Sequence, residues 1–392
     1  MKYVIFIFIA VFIVVFAPFS HANIVAYAKT ESIEEELESE VEEGLNSLIS
    51  GDLESFFNSL NVEDGTSFRE LVERILNGEI VLSVDNVFQL ILNAVKDNVF
   101  SLLASFITIM LLSMLYGLFN GITSGFAKNN TKQIVYFAIY GAIIAILSVI
   151  LKDVISTTKQ LVDSITTLFE IAFPILLTLV TALGGSVGMQ IMQPITLVFS
   201  EVILKLINNL ILPIFIATII FTVIGNLSDS VKLEKLTKAL KSVASWTLGV
   251  VFGVMTTIIS LQGIVGASID TIALRSAKFA LSSYVPILGG YLSEGFDIVL
   301  AGCVLIKNSM GLAFFLLLIT ILIGPLVKIV LTSLLMKLVA GLVEPMSDVK
   351  ISSLLFNTAN NLNILISIVL GVTFLCFVII LIVISSFNMG VV

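Results

Sequence analysis

Glu294 and Asp297 are the acids best placed to do chemistry in this sequence. They lie three positions apart in a largely apolar stretch, shortly after the pair Gly289-Gly290. An ionised carboxylate is costly in lipid, so an acid at membrane depth usually faces a polar path or a partner charge. The glycine pair predicts a helix interruption beside them. Two interpretations stay open: the acids line a path for solutes, or they are solvated at the mouth of a hairpin.

Glu201 and Lys205 form a second candidate site at the edge of an apolar stretch. Residues four positions apart share one face of a helix, which favours an ion pair. A pair is also cheaper at a membrane edge than either charge alone. We therefore expect a structural ion pair, with a role in a translocation path as the alternative.

The chain carries no signature that we associate with catalysis. His21 is the single histidine and lies near the N-terminus, so histidine-based acid-base chemistry and histidine metal sites are not expected in the rest of the chain. No GxxxxGK[ST] phosphate loop and no HExxH helix occur. Cys303 and Cys376 lie singly in apolar stretches, as small hydrophobic residues do. We expect no enzyme, no cofactor and no metal.

The composition places the chain in a membrane. Hydrophobic residues make up 58% and charged residues 12% of the 392 residues, and the mean hydropathy is +1.11. A soluble fold cannot hide so much apolar surface from water. The predicted fold class is therefore an all-α, polytopic membrane protein that contacts the lipid bilayer and no nucleic acid.

Residues 1–28 are predicted to be a secretory signal peptide. Lys2 precedes the apolar residues 4–16, and small residues suited to cleavage end at Ala22 or Ala28. An uncleaved anchor is the alternative. In both cases the residues that follow lie outside the cytoplasm.

Residues 29–98 are predicted to form an acidic, extracytoplasmic helical segment. They contain 17 of the 28 acidic residues of the chain. Apolar residues recur every three or four positions, Ser67 and Glu70 fit a capping box, and Gly78 is placed to end that helix. A segment of this size buries little surface alone. We expect its apolar stripe to lie on the bundle or on a partner; a solvated spacer is the alternative.

Six apolar stretches are long enough to cross the bilayer, since a helix needs about 20 residues for a hydrocarbon core of about 30 Å. They are residues 99–119, 134–151, 206–224, 246–269, 311–331 and 362–385. Two further segments, 171–189 and 284–306, each contain a proline and a glycine-rich break. Broken helices at membrane depth need protein or a cavity to shield the freed backbone.

A basic cluster distinguishes between the possible topologies. Its lysines and leucines are predicted on opposite faces of a helix that lies on anionic lipid or docks a partner: Lys232, Lys235, Lys238 and Lys241 against Leu233, Leu236 and Leu240. The cluster lies outside the cytoplasm if both proline-led segments cross fully and on the cytoplasmic surface if they are re-entrant, and the positive-inside rule favours the second case. We favour six full spans plus two re-entrant segments, with eight full spans as the alternative.

The membrane part is predicted to be an internal duplication. Pro174 and Pro213 recur 112 positions later as Pro286 and Pro325, within similar apolar sequence. All four prolines are predicted hinges or breaks. The two repeats are residues 99–245 and residues 246–392, the second with the C-terminal span. They run parallel in the six-span topology and inverted in the eight-span topology.

Two glycine pairs have the GxxxG spacing, which lets helix backbones approach closely in lipid. They are Gly117 with Gly121 and Gly249 with Gly253. A helix-packing role is predicted for all four.

From about residue 209 to residue 348 the chain resembles the stage III sporulation protein AE family of endospore-forming bacteria. Order and spacing agree along a run of matching stretches: Asn209-Leu210-Ile211-Leu212-Pro213, Gln262-Gly263, Asp270, Arg275-Ser276-Ala277-Lys278-Phe279, Val285-Pro286-Ile287-Leu288-Gly289, Lys307-Asn308-Ser309-Met310-Gly311, Pro325 with Lys328, Glu344-Pro345 and Asp348. Ser276 and Thr271 stand where other small residues are expected.

The resemblance implies an integral membrane subunit of the transenvelope channel, or feeding tube, between mother cell and forespore. It implies a multi-pass protein in the mother-cell-derived membrane around the forespore, a structural or export-platform part with no catalytic residues. Its implied partners are other membrane and ring subunits and a separate ATPase-like subunit. From the residues themselves, a stand-alone secondary transporter or permease with a path at the repeat interface is the alternative.

Overall fold

The computed structural model describes most of the chain that follows the acidic lead. The described residues are 44–45, 48–49, 51–60, 67–78, 84–123, 129–183, 194, 198–227, 232–284 and 289–385. Nearly all of them are helical, and no strand occurs within these ranges. The predicted all-α class is therefore confirmed. The predicted signal peptide, residues 1–28, lies outside the described residues.

Two short amphipathic helices precede the bundle, α1 (Gly51–Ser59) and α2 (Phe68–Leu76). The Oγ atom of Ser67 accepts a hydrogen bond from the N–H of Glu70 at 3.1 Å, as the capping pattern predicts. Gly78 follows α2 with a φ of 70°, a conformation that favours glycine. Local sequence therefore explains both ends of α2.

Seven further helices lie in the described part of the bundle. They are α3 (Val84–Thr123), α4 (Asn129–Ala182), α5 (Leu212–Leu227), α6 (Glu234–Tyr284), α7 (Gly289–Val343), α8 (Val349–Asn361) and α9 (Asn363–Ser385). The helical segment before α5 is irregular, because π-helical stretches at Val198–Ile203 and Ile207–Ile211 flank a single α-helical turn.

Six stretches of described helix are long and apolar enough to cross a membrane: Phe88–Ile122, Lys132–Ala182, Glu201–Leu227, Glu234–Leu261, Leu300–Val343 and Val349–Ile384. The chain is thus a multi-pass membrane protein, as its composition predicts. Several helices are much longer than a bilayer is thick. The 54 residues of α4 span about 80 Å at about 1.5 Å per residue, against a hydrocarbon core of about 30 Å. Parts of α4 therefore lie beyond a single crossing.

The prolines act differently from one another. The helix continues through Pro174 in α4 and Pro325 in α7, so the break predicted at these two positions is absent. A membrane helix tolerates the backbone hydrogen bond lost at such a proline, because groups on neighbouring helices can satisfy the freed carbonyl. Pro213 is the second residue of α5, and the helix departs from α geometry in the π-helical stretch Ile207–Ile211 just before it. Pro286 lies outside the described residues.

Where the structure describes them, the two proline-led segments are parts of the long helices α4 and α7. Residues 171–182 are the last turns of α4, and residues 289–306 are the first turns of α7. The glycine-rich residues 184–188 lie outside the described residues, so the re-entrant geometry stays a prediction. The duplication also stays a prediction. With six consecutive crossings α4 and α6 run in one direction and α5 and α7 in the other, as a parallel repeat requires.

The apolar helix α9 lies at the centre of the bundle and packs on α4, α6 and α7. It runs antiparallel to α7, with Phe377 beside Phe315 at a ring-centroid distance of 5.2 Å. Helix α8, which leads into α9, also contacts α7, because the Ser333 hydroxyl donates to the carbonyl of Ala359 at 3.1 Å. These contacts fix the register of α8 and α9 along α7.

Helix α2 lies on α7, and α1 packs on α2 and α4. The ring of Phe68 stacks on Phe314 with centroids 5.4 Å apart, and Phe57 meets Phe68 edge-on at 5.8 Å. Phe57, Phe68 and Val72 are at most 2% exposed. This part of the acidic segment is therefore packed on the bundle and is no solvated spacer.

Candidate functional site

Three tyrosines join α3, α4 and α5 where α3 ends and α4 begins. The Tyr140 hydroxyl donates to the carbonyl of Val223 at 2.9 Å, and that of Tyr136 to the carbonyl of Asn226 at 3.4 Å. The rings of Tyr136 and Tyr140 stack, and Tyr116 meets Tyr136 edge-on. Buried hydroxyls need such partners. Because these partners lie far apart in sequence, no local pattern pointed to them.

The same end of the bundle carries the basic cluster, and we call it the lysine-rich end. Lys232, Lys235 and Lys238 are exposed. Lys238 pairs with Glu234 at 2.5 Å. Both side chains of this pair are exposed, so it adds little to stability.

Lys241 departs from the predicted surface. It is half-buried, and its Nζ donates to the carbonyl of Asn360 at 3.2 Å, because the start of α6 packs against the end of α8. Leu236, predicted on the apolar face, is 46% exposed, while Thr237 faces the bundle. The exposed lysine surface therefore consists of Lys232, Lys235 and Lys238, without Lys241. Its cytoplasmic location stays a prediction.

Asn361 ties the end of α8 to α5. Its Nδ2 donates to the Thr222 hydroxyl at 3.0 Å and lies 3.4 Å from the carbonyl oxygen of Thr218. The side chain is 1% exposed, and a buried amide is stable only when hydrogen-bonded. Asn361 therefore aligns these two helices.

An ion pair between α4 and α7 was missed by sequence reasoning. The Nζ of Lys328 lies 2.8 and 2.9 Å from the two carboxylate oxygens of Asp153. The side chains are 21% and 52% exposed, respectively. A lysine inside a predicted span needs a counter-charge. That requirement was the available signal, but it did not identify an acid 175 residues away.

Glu201 and Lys205 form the predicted ion pair, with Nζ 2.9 Å from a carboxylate oxygen. They lie in the irregular helical segment before α5, and both side chains are about two-thirds exposed. The pair links neighbouring turns of one helix. A role in translocation stays a prediction.

Gly289 and Gly290 lie at the start of α7, so the predicted interruption is the beginning of a helix. Glu294 and Asp297 follow in its first turns. Their side chains lie outside the described part of the structure. Their role in a path or at a hairpin mouth stays a prediction.

Among the predicted packing glycines, Gly117 makes a close backbone contact. A Cβ atom there would lie 1.6 Å from the carbonyl oxygen of Met346, in the connection from α7 to α8. No described atom comes within 4 Å of such a Cβ at Gly121, Gly249 or Gly253. Close packing is therefore present at Gly117. For the other three glycines the packing role stays a prediction.

Within the described ranges no group of three or more His, Cys, Asp or Glu side chains is arranged to hold a metal ion. Cys376 is buried in α9 and Cys303 is half-buried in α7. In the described bundle, hydrogen bonds, ring contacts and an ion pair between α4 and α7 add polar and aromatic contacts to the apolar core.

These features define a class: a multi-pass helical membrane protein whose long helices are aligned by polar contacts at one end and by apolar packing around α9. A sequence model of the stage III sporulation protein AE family matches residues 66–386. The chain belongs to this family, which associates it with sporulation. The resemblance seen over residues 209–348 is thus confirmed and extends over most of the chain.

A stage III sporulation protein AE from Bacillus subtilis (strain 168) is 28% identical over 134 residues. The match covers 34% of this chain and 34% of the relative. No solved structure matches the chain.

Proposed function

We propose that this chain is an integral membrane subunit of the channel between mother cell and forespore, a structural or export-platform part needed for forespore development. The observation that carries the proposal is the family match over residues 66–386, which includes all six candidate spans. In this proposal the protein resides in the mother-cell-derived membrane around the forespore and is no enzyme.

The proposed partners are other membrane and ring subunits and a separate ATPase-like subunit. The chain has no GxxxxGK[ST] phosphate loop, so in this proposal the energy for transport comes from another polypeptide or from a gradient. Lys232, Lys235 and Lys238 offer a basic surface to a partner or to anionic lipid. No described atom lies within 4 Å of a Cβ at Gly249 or Gly253, so this glycine pair offers a surface on α6 where a partner helix can pack closely.

A stand-alone transporter is the less favoured proposal. Such proteins place charged groups together at a midplane site between broken helices. Glu201 and Lys205 instead pair with each other on an exposed surface. Family membership does not favour this alternative.

Removing the charges of Glu294 and Asp297 separates a scaffold from a conducting path. We expect a strain carrying Glu294→Gln and Asp297→Asn to form heat-resistant spores with at most a partial loss, since amides keep the size and hydrogen bonding of these groups. A strain without the gene should lose heat-resistant spores. The measurement is the heat-resistant spore count, together with the membrane abundance of the variant.

Two outcomes count against this account. Complete loss of spores at normal abundance of the double variant would favour a conducting role for the two acids. Normal spore counts in the strain without the gene would overturn the proposed function.

A further inference from the structure

Two lysines from different helices come together at the lysine-rich end. Lys241 lies in the first turns of α6, and its Nζ donates to the carbonyl of Asn360 at the end of α8. Lys337 lies in α7, one helical turn after Ser333, whose hydroxyl donates to the carbonyl of Ala359, the residue before Asn360. The contact between α7 and α8 therefore brings Lys337 towards Lys241, and the two ammonium groups lie close enough to repel each other.

The positive charges of this lysine pair are not neutralised by the described part of the chain. Both side chains are half-buried, so water screens their charges only in part. Within the described ranges, neither lysine forms an ion pair with a carboxylate. Glu234, the acid nearest to Lys241 in sequence, pairs with Lys238 instead.

The carbonyl of Asn360 satisfies the Lys241 ammonium only in part. An ammonium group has three N–H donors, and this carbonyl accepts one of them. Two adjacent positive charges that are removed from water destabilise each other, and a half-buried charge without a counter-charge carries a further penalty. An anion that binds between Lys241 and Lys337 removes both costs and links α6 to α7.

The surroundings of the pair indicate the kind of anion. Leu334, Leu338 and Leu342 recur every four residues beside Lys337 on α7, and each is more than half exposed. A free phosphate gains nothing from such apolar neighbours. An anionic lipid instead places its phosphate on the lysines and its acyl chains against the leucines, as in basic pockets between membrane helices. We infer that Lys241 and Lys337 form a binding site for the phosphate of an anionic lipid headgroup.

This site differs from a diffuse basic surface. A diffuse surface would depend equally on every lysine of the cluster, including the exposed Lys232, Lys235 and Lys238. The inferred site depends instead on two half-buried lysines that different helices bring together. It does not rest on the proposed channel function, because it follows from the junction of α6, α7 and α8 alone.

Native mass spectrometry of the full chain, purified in detergent, tests this inference. The probes are phosphatidylglycerol, the zwitterionic phosphatidylcholine and inorganic phosphate. We expect the wild type to retain phosphatidylglycerol in preference to phosphatidylcholine. Lys337→Gln should weaken phosphatidylglycerol binding about fivefold, the change that corresponds to one lysine at an anionic lipid surface. The matched control Lys235→Gln removes the same charge from an exposed position and should change binding by less than about twofold.

Lys337→Arg keeps the charge and should restore phosphatidylglycerol binding, which separates loss of the site from a folding defect. Equal retention of the two lipids by the wild type would overturn the inference, and so would equal losses in Lys337→Gln and Lys235→Gln. Displacement of the lipid by inorganic phosphate would overturn the assignment to a lipid headgroup. Unchanged lipid binding by Lys337→Gln, together with loss of co-purified subunits, would overturn it in favour of an acidic partner protein.

Discussion

Gly117→Ala is expected to prevent the bundle from packing correctly, although only one methyl group is added. The new Cβ would lie 1.6 Å from the carbonyl oxygen and 2.8 Å from the carbonyl carbon of Met346. Both atoms belong to the backbone, so no side-chain rotation relieves the contact, and α3 must move away from the connection between α7 and α8. Overpacking typically costs about 1–3 kcal/mol, and backbone contacts lie at the upper end or beyond.

Gly121→Ala is the matched control, one turn further along α3. No described atom lies within 4 Å of a Cβ at Gly121, and alanine favours a helix interior over glycine by about 1 kcal/mol. The measurement is the melting temperature and the monodisperse fraction of the purified protein in detergent. Equal values for Gly117→Ala and the wild type would show that α3 does not approach Met346.

Removing Asp153 is expected to destabilise the bundle more than removing Lys328. Asp153→Ala leaves the largely buried Lys328 ammonium without its counter-charge, whereas Lys328→Met leaves a carboxylate that is 52% exposed and can be hydrated. Breaking a fully buried pair costs about 3–5 kcal/mol. Because Asp153 is half-exposed, about 1–3 kcal/mol is the expected loss for Asp153→Ala.

The charge exchange Asp153→Lys with Lys328→Asp is the control for this ion pair. It should recover part of the thermal stability that Asp153→Ala loses, since the attraction between α4 and α7 is restored. Thermal unfolding followed by circular dichroism in detergent gives the comparison. If Lys328→Met is the more destabilising single change, the assignment of the buried partner is wrong.

Local sequence patterns predicted the local features of this fold. The apolar composition indicated a multi-pass helical membrane protein, and Ser67 with Glu70 indicated the start of α2. Glu201 and Lys205 pair as their i, i+4 spacing predicts. Each of these features depends on residues within one or two helical turns, so one segment carries the whole signal.

Features that depend on register between distant helices could not be predicted in this way. Asp153 and Lys328 meet only because α4 and α7 pack antiparallel. Lys241 turns inward because the end of α8 offers the carbonyl of Asn360. The apolar stretches also underestimated the length of the helices, because an amphipathic segment such as residues 152–170 continues α4 without adding an apolar run.

The continuity of α4 through Pro174 has a related cause. Proline predicts a break from local chemistry, since it removes one backbone N–H and crowds the preceding turn. In α4 the residues around it, Phe173, Leu176 and Leu177, are buried against other helices. Tertiary packing therefore maintains the helix where local chemistry disfavours it.

Purification of the full-length chain from sporulating cells tests the central claim most directly. A tagged chain is solubilised from membranes in mild detergent, and its partners are identified by mass spectrometry against a mock purification from cells without the tag. The proposal predicts a reproducible set of membrane and ring subunits together with a nucleotide-binding ATPase-like protein. Recovery of the chain alone from sporulating membranes, with solute flux when it is reconstituted alone in liposomes, would contradict the proposal and favour a stand-alone transporter.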